Sequence, residues 1–343
     1  PFVRPARVPY RGCSHSPAAT YAANTFLEDR HFVHKVKGAR EGAPPVGVLL
    51  GVMDGHGGWQ AAEHTRDTLP STFDSQLVAI GRELTPKSTG DALVKSFLSV
   101  DAAWADSIRT AFKLGFSHVA RTGCCTVAAM VTKSHIVVAN AGDCRVVVGR
   151  MEDGKPVAVQ LSEDHNAKLP KEKQLLEAAH PGEKDIVVCK SPESCYVKGR
   201  LQPTRAIGDM RLKSAEFNVP KAEPHRGRHI GAPFTPPYIT ATPEVDVAPP
   251  FLDSAKDGFV VLACDGVWDV MTSAEVVECV ACVADEGDKE TVAARLAEHV
   301  LRAEAQASAM TLRDLLVLRP GRRRSYHDDL TIVVAFLGKK KGW

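Results

Sequence analysis

No excess of charge of either sign is present: Lys and Arg number 43, Asp and Glu 41. A nucleic-acid binder normally carries a clear basic surplus, so the charge balance gives that class no support. No apolar run approaches bilayer length, so no membrane span is expected. Neither an internal repeat nor a low-complexity tract is found, which removes the repeat architectures. A disulfide framework is not expected either. The nine cysteines are odd in number and several sit in valine-rich runs, the pattern of reduced core thiols in an intracellular compartment, with cytoplasm and mitochondrion both open. Cys279 and Cys282 form a CxxC with no second Cys or His pair nearby, so they read as buried small hydrophobes and not as zinc ligands.

What is there is the composition of a soluble globular protein: 343 residues, 44 % hydrophobic and 24 % charged. Strand and helix patterns interleave without an obvious linker. One domain over residues 24–338 is therefore expected, preceded by an extension at 1–23. That extension holds Arg4, Arg7 and Arg11 ahead of the first acid, Glu28, and reads as a solvated linker. Apolar runs at Val46–Met53, His135–Asn140, Arg145–Gly149, Phe259–Cys264 and Leu330–Leu337 predict buried strands. Leu93, Phe97, Val100, Trp104 and Ile108 recur at helical spacing, as do Val292, Leu296 and Val300. Between 164 and 257 the pattern weakens into Pro-rich, Gly-rich and charged stretches, which predicts a flap-like surface elaboration.

The acids are placed in a telling way. Asp54 and Asp265 each follow a predicted strand, Asp328 precedes one, and Glu28-Asp29 precede a plausible strand at His31–Val36. Asp143 lies in the hairpin turn that begins at Asn140. If the strands entered from Asp29 and Asp328 run antiparallel to the other two, all these carboxylates emerge at one end of the sheet. Any one Asp at a strand end is ordinarily a turn cap. So many together cannot converge unless something neutralises them. Oxygen ligands without a His or Cys cluster select hard cations, Mg²⁺ or Mn²⁺. A pair of such ions can clamp and ionise a water for attack on phosphorus.

The stretches around these acids are Glu28-Asp29-Arg30, Asp54-Gly55-His56-Gly57-Gly58, Asn140-Ala141-Gly142-Asp143-Cys144-Arg145 and Leu161-Ser162-Glu163-Asp164-His165-Asn166. Thr204-Arg205-Ala206-Ile207-Gly208-Asp209, Asp265-Gly266-Val267-Trp268-Asp269 and Asp328-Asp329-Leu330-Thr331 follow. In this order they resemble the type-2C, metal-dependent protein phosphatase family, over roughly 24 to 337. The resemblance implies an α+β fold, a four-layer α-β-β-α sandwich of two packed antiparallel sheets flanked by helices. It also implies hydrolysis of phosphoserine and phosphothreonine in phosphoprotein substrates, by a water activated between two Mg²⁺ or Mn²⁺ ions. Carried over, Asp54 bridges both ions and the Gly55 carbonyl binds one. Asp265 and Asp328 hold the other, Glu28 and Asp29 act through water, and Asp143 and Asp269 match a third, weaker ion site. His56 fits a general acid for the leaving alkoxide. A monomer is expected; any regulatory subunit is open.

Two positions depart from the family's common form. Asn24 stands where many members have a phosphate-gripping Arg, and Asp329 where an Asn is usual. Both departures resemble the pyruvate dehydrogenase phosphatase-like branch. Asn24 and the basic run Arg322, Arg323 and Arg324 are the candidate substrate contacts. Two rivals are weighed. Cys144 and Arg150 have the C-x5-R spacing of a cysteine phosphatase, but Val146-Val147-Val148 read as strand rather than as a phosphate loop. A pseudophosphatase that binds partners without turnover should have lost Asp54, Asp265 or Asp328, and all three are present.

Overall fold

The structure is a computed structural model and describes residues 18–38, 44–81, 84–219, 229–248 and 258–337. The early strands are β1 (Ala18–Tyr21), β2 (Arg30–Val36), β3 (Gly47–His56), β4 (Gly123–Thr132), β5 (Ile136–Ala141), β6 (Arg145–Glu152) and β7 (Lys155–Gln160). After them come β8 (Val187–Ser191), β9 (Ser194–Val197), β10 (Ile207–Gly208), β11 (Glu244–Val247), β12 (Gly258–Ala263) and β13 (Leu330–Leu337). The helices are α1 (Gln60–Ala79), α2 (Pro86–Lys113), α3 (Pro170–Ala179), α4 (Met210–Lys213), α5 (Asp265–Trp268), α6 (Ser273–Asp285), α7 (Val292–Ala307) and α8 (Leu312–Val317). One antiparallel sheet runs β1-β13-β12-β6-β7; the other runs β11-β5-β4-β3-β2, with β10 on β4.

Alternation along each strand explains the layers. On β3, Val48, Leu50 and Val52 point into the core between the sheets, while Leu49 and Met53 join a second core under α1 and α2. On β12, Val260 and Leu262 face the inter-sheet core, whereas Phe259, Val261 and Ala263 pack with α6 and α7. Both faces of the central strands β3, β4, β5, β12 and β13 are dry. An antiparallel strand with one wet face would alternate apolar and polar residues, so these read instead as unbroken apolar runs. The helix predicted from Leu93 to Ile108 is α2, which starts at a Thr85–Ser88 capping box and buries that stripe. The second predicted stripe lies in α7.

Several expectations need correction. β3 runs on to His56, because its pairing with β4 continues to His56 opposite Gly123; Asp54 therefore lies within the strand. The 1–23 segment, read as an extension, supplies β1, which pairs with β13. The 164–257 stretch is partly core: β10 and β11 return to the main sheet, while β8, β9 and α3 accompany a small cluster around Tyr238 and Val197. Not all cysteines are reduced thiols. Cys189 and Cys195, directly opposed in the β8–β9 hairpin, are joined as a disulfide. Cys282 is exposed on α6 and not buried, and Cys13 lies outside the described residues.

Candidate active site

The sheet registers bring the acids to one edge. Arg30 pairs with Met53, so Asp29 sits beside the end of β3 that carries Asp54 and Gly55. Ala263 pairs with Ile332, which places Asp265, the first residue of α5, near Asp328 and Asp329 ahead of β13. Because Thr126 on β4 faces Ala141 on β5, the turn holding Asp143 emerges at the same edge. Asp269, at the C-terminus of α5, is more exposed and has Lys168 3.9 Å away.

That proximity perturbs the titration of the acids. Burial raises the Asp54 carboxyl well above its ordinary range, and Asp265, Asp29, Asp328 and Asp143 each push it further. Asp265 is raised to about 8 by burial, Asp143 and Asp328, and it shares a hydrogen bond with Asp54. Asp29 is raised by burial and then by Asp329, and its Oδ2 is buried without a hydrogen-bond partner. Burial also raises Glu28, Asp328 and Asp269. Protein groups alone leave this cluster protonated or repelling. A Cβ on Gly55 would lie 2.2 Å from the Glu28 carbonyl, so two backbone segments are appressed there in a way only glycine allows. Among the described residues no three His, Cys, Asp or Glu side chains close into a finished ligand cage. The fit of hard cations therefore rests on the donor chemistry: oxygen only, anionic, in mutual repulsion, with one buried carboxylate oxygen unpartnered.

Around the acids stands a set of supports that the sequence patterns did not reveal. His56 Nε2 is 2.5 Å from Asp209 Oδ2, across 153 residues of chain. Burial disfavours the His56 cation, but the Asp209 charge and hydrogen bond outweigh it and the pKa is raised. Asp209 is itself buried, in a left-handed conformation with φ 52°, and its N–H donates to the Thr122 carbonyl. Asn166 Nδ2 donates to Asp143 Oδ2 at 2.9 Å. His165 Nδ1 accepts from the Gly142 N–H while Nε2 meets Glu244 at 2.8 Å, which fixes the neutral tautomer; burial, the largest influence, lowers its pKa accordingly. The only signal for Asp209, His165 and Asn166 was their place in the quoted motifs, and Glu244 had none.

The candidate substrate contacts separate. Asn24 is tied to Asp329, which accepts from the Ala23, Asn24 and Glu28 N–H groups and from Asn24 Nδ2. Arg323 is buried, donates to the carbonyls of Leu318, Ala22 and Leu316, and lies over the Tyr21 ring. Those bonds make it a strut between β1 and the α8 loop, with no donor directed at the acids. Arg322 is exposed on the same turn. Arg324 alone reaches the acids, 2.7 Å from Asp328 Oδ2, with its side chain 51 % exposed.

Residues 17–309 match a family model described as Protein phosphatase 2C. Probable protein phosphatase 2C 67 of Arabidopsis thaliana is 32% identical over 319 residues, covering 93% of this chain and 82% of its own. Probable protein phosphatase 2C 28 of Oryza sativa subsp. japonica is 32% identical over 322 residues, with 93% and 76% covered. Among solved structures, the serine-threonine phosphatase 2C from Toxoplasma gondii is similar at a TM-score of 0.69 and 19% identity, over 98% of this chain and 99% of that one. At that identity the likeness speaks to the fold alone.

Proposed function

The chain belongs to the protein phosphatase 2C family, and from that premise we propose that its carboxylate edge is the metal centre of a serine/threonine phosphatase acting on phosphoproteins. The observation that carries the reading is the group around Asp54: buried acids on separate elements that raise one another's pKa at a single edge. Asp54, Gly55, Asp265 and Asp328 would hold two Mg²⁺ or Mn²⁺ ions, with Glu28 and Asp29 alongside, and Asp143 and Asp269 would serve a third. Bound there, the ions supply the positive charge that ionises the carboxylates and polarises a water for in-line attack on phosphorus.

The protein's own residues do the rest. His56 faces a leaving group that departs as an alkoxide once the water oxygen–phosphorus bond forms and the phosphorus–oxygen ester bond breaks. With Nε2 committed to Asp209, the transferable proton sits on Nδ1 and passes to the leaving oxygen. Asn166 fixes the Asp143 carboxylate, and Asp329 ties down the backbone that leads into Glu28. Arg324 holds donors at the exposed rim, where a phosphate oxygen arrives. The residue choices Asn24 and Asp329, which touch in this chain, are what the reading of a pyruvate dehydrogenase phosphatase-like branch rests on.

A cysteine mechanism does not fit. Cys144 is fully buried, and burial, then Asp54 and Asp143, push its thiol well above the reactive range. The deciding experiment is release of phosphate from a phosphothreonine peptide with Mn²⁺, Mg²⁺ or chelator. Metal-dependent turnover is expected. Its absence from a folded, metal-loaded protein would leave the binding-only scaffold in its place.

A further inference from the structure

A cleft of about 600 Å³ has Asp29, one of the clustered acids, in its wall. The cleft is lined by Phe26, Leu27, Arg30, Trp59 and Arg66 among others. Phe26 is 71% exposed and Trp59 37%, although both are large aromatics. The charged lining is internally matched. Arg30 pairs with Glu63, donates to the Leu27 and Asp29 carbonyls, and lies over the Trp59 ring. Arg66 pairs with Glu63 and Asp67. With the guanidinium groups paired inside the protein, and Thr20 and His31 the remaining polar lining, Phe26, Leu27 and Trp59 give the cleft its apolar surface.

Position supplies the occupant. Phe26 lies two residues before Glu28, and Trp59 follows the Asp54-Gly55-His56-Gly57-Gly58 stretch directly. Both aromatics are thus attached to loops that frame the acids, which puts the cleft within reach of a chain bound there. We propose that the cleft is a substrate subsite, taking one bulky apolar side chain of the phosphoprotein close to its phosphoresidue. The inference rests on the phosphatase reading above. An extended chain advances about 3.3 Å per residue, so a cleft walled by Asp29 is within reach of a side chain a few residues from the phosphate. The arrangement resembles other peptide-recognition sites in which an exposed aromatic pocket sets specificity while a separate polar site holds the invariant group.

The test uses the metal-loaded protein and phosphothreonine peptides that differ at one flanking position, Phe or Leu against Ser, with a small aryl phosphate as the reference. The wild type should prefer the apolar peptide by about tenfold in kcat/KM at one flanking position, the scale set by burying one such side chain. Phe26→Ser and Trp59→Ala should each remove most of that preference and leave the Ser peptide and the aryl phosphate within about twofold. Phe26 is exposed enough that its replacement leaves the fold intact. A wild type that hydrolyses all the substrates without preference overturns the subsite and leaves the phosphatase reading standing. Equal losses on peptide and aryl phosphate overturn it too, because they would make the aromatics supports of the centre. So would a dimer in sedimentation velocity that Phe26→Ser dissolves while peptide preference stays intact. A wild type inactive on everything, the aryl phosphate included, would sink both readings together.

Discussion

Replacing Asp329 by alanine puts the organisation of the acid edge to a quantitative test. Its carboxylate accepts from Ala23 N at 2.6 Å, Glu28 N at 2.8 Å, Asn24 N at 3.0 Å and Asn24 Nδ2 at 3.2 Å. Ala23 is fully buried, so its orphaned N–H costs roughly 1–3 kcal/mol, the desolvation penalty of an unmade bond. The N–H groups of Asn24 and Glu28 are only part-buried and can turn to water, at about 0.5–1.5 kcal/mol each. Against this, Asp329 raises the carboxyls of Glu28, Asp29 and Asp328, so removing its charge returns on the order of 1 kcal/mol. The net expectation is a loss of about 1–5 kcal/mol. Asp329→Asn keeps one acceptor oxygen for Ala23 and Asn24 but turns an NH₂ toward two donors, so it should fall between alanine and wild type. Urea unfolding of the three proteins in chelator checks the order. An Asp329→Ala protein within about 0.5 kcal/mol of wild type would refute the reasoning, since changes that small are what ordinary surface positions give.

Asp54→Asn and Asp265→Asn should each reduce metal-dependent turnover by at least about 100-fold while raising the melting temperature in chelator, because each removes a buried like charge; near-wild-type turnover at saturating Mn²⁺ would take that residue out of the centre. The same repulsion sets a pH dependence. The folded pKa of Asp265, about 8, lies above the ordinary carboxylate value, so the folded state binds the extra proton between about pH 4 and pH 8 and stability in chelator falls as pH rises through that window. Melts at pH 5.5 and 8.0 should show a decline that Asp265→Asn flattens, and an identical slope in the variant would contradict the assignment. His56→Gln and Asp209→Asn should share one signature, a loss of roughly 100-fold or more on alkyl phosphates with aryl phosphates largely spared; different signatures would dissociate the pair. Arg324→Ala should raise KM for an aryl phosphate several-fold with kcat little changed, whereas a fall in kcat and metal affinity together would make Arg324 a support of Asp328 only.

How much of this was legible follows from which constraints are local. The strands dry on both faces announced themselves as apolar runs, and strand direction alone sorts the acids at their ends onto one edge. β4 escaped notice although it is almost wholly buried, because Gly123, Cys124, Cys125, Ala128 and Ala129 lack the branched and aromatic side chains that mark strands. α1 was hidden by its weak stripe and by Pro70 within it. β1 and β11 are four residues each, too short for a period, and exist only because a partner strand is there. Asp209 could not be matched to His56 by spacing, since 153 residues intervene. The disulfide partners sit in a mostly exposed hairpin, away from the valine-rich runs on which the reduced-thiol reading rested.

The two departures from the family's common form, Asn24 and Asp329, turn out to be one structural choice. Three backbone N–H groups converge on position 329 from the loop that leads into Glu28, and a carboxylate can accept from all of them while an amide cannot. Once Asp occupies that position, a short amide donor at 24 completes its shell without adding a second charge beside the acids. An Arg at 24 would meet the Asp329 carboxylate before it met a substrate, and its fork would be spent there. Among the candidate arginines Arg324 is then the one left at the rim, held to Asp328 by one contact and half-exposed toward an incoming anion. Asn24 in this chain is therefore better understood as part of the scaffold that sets Glu28 than as a weakened phosphate grip.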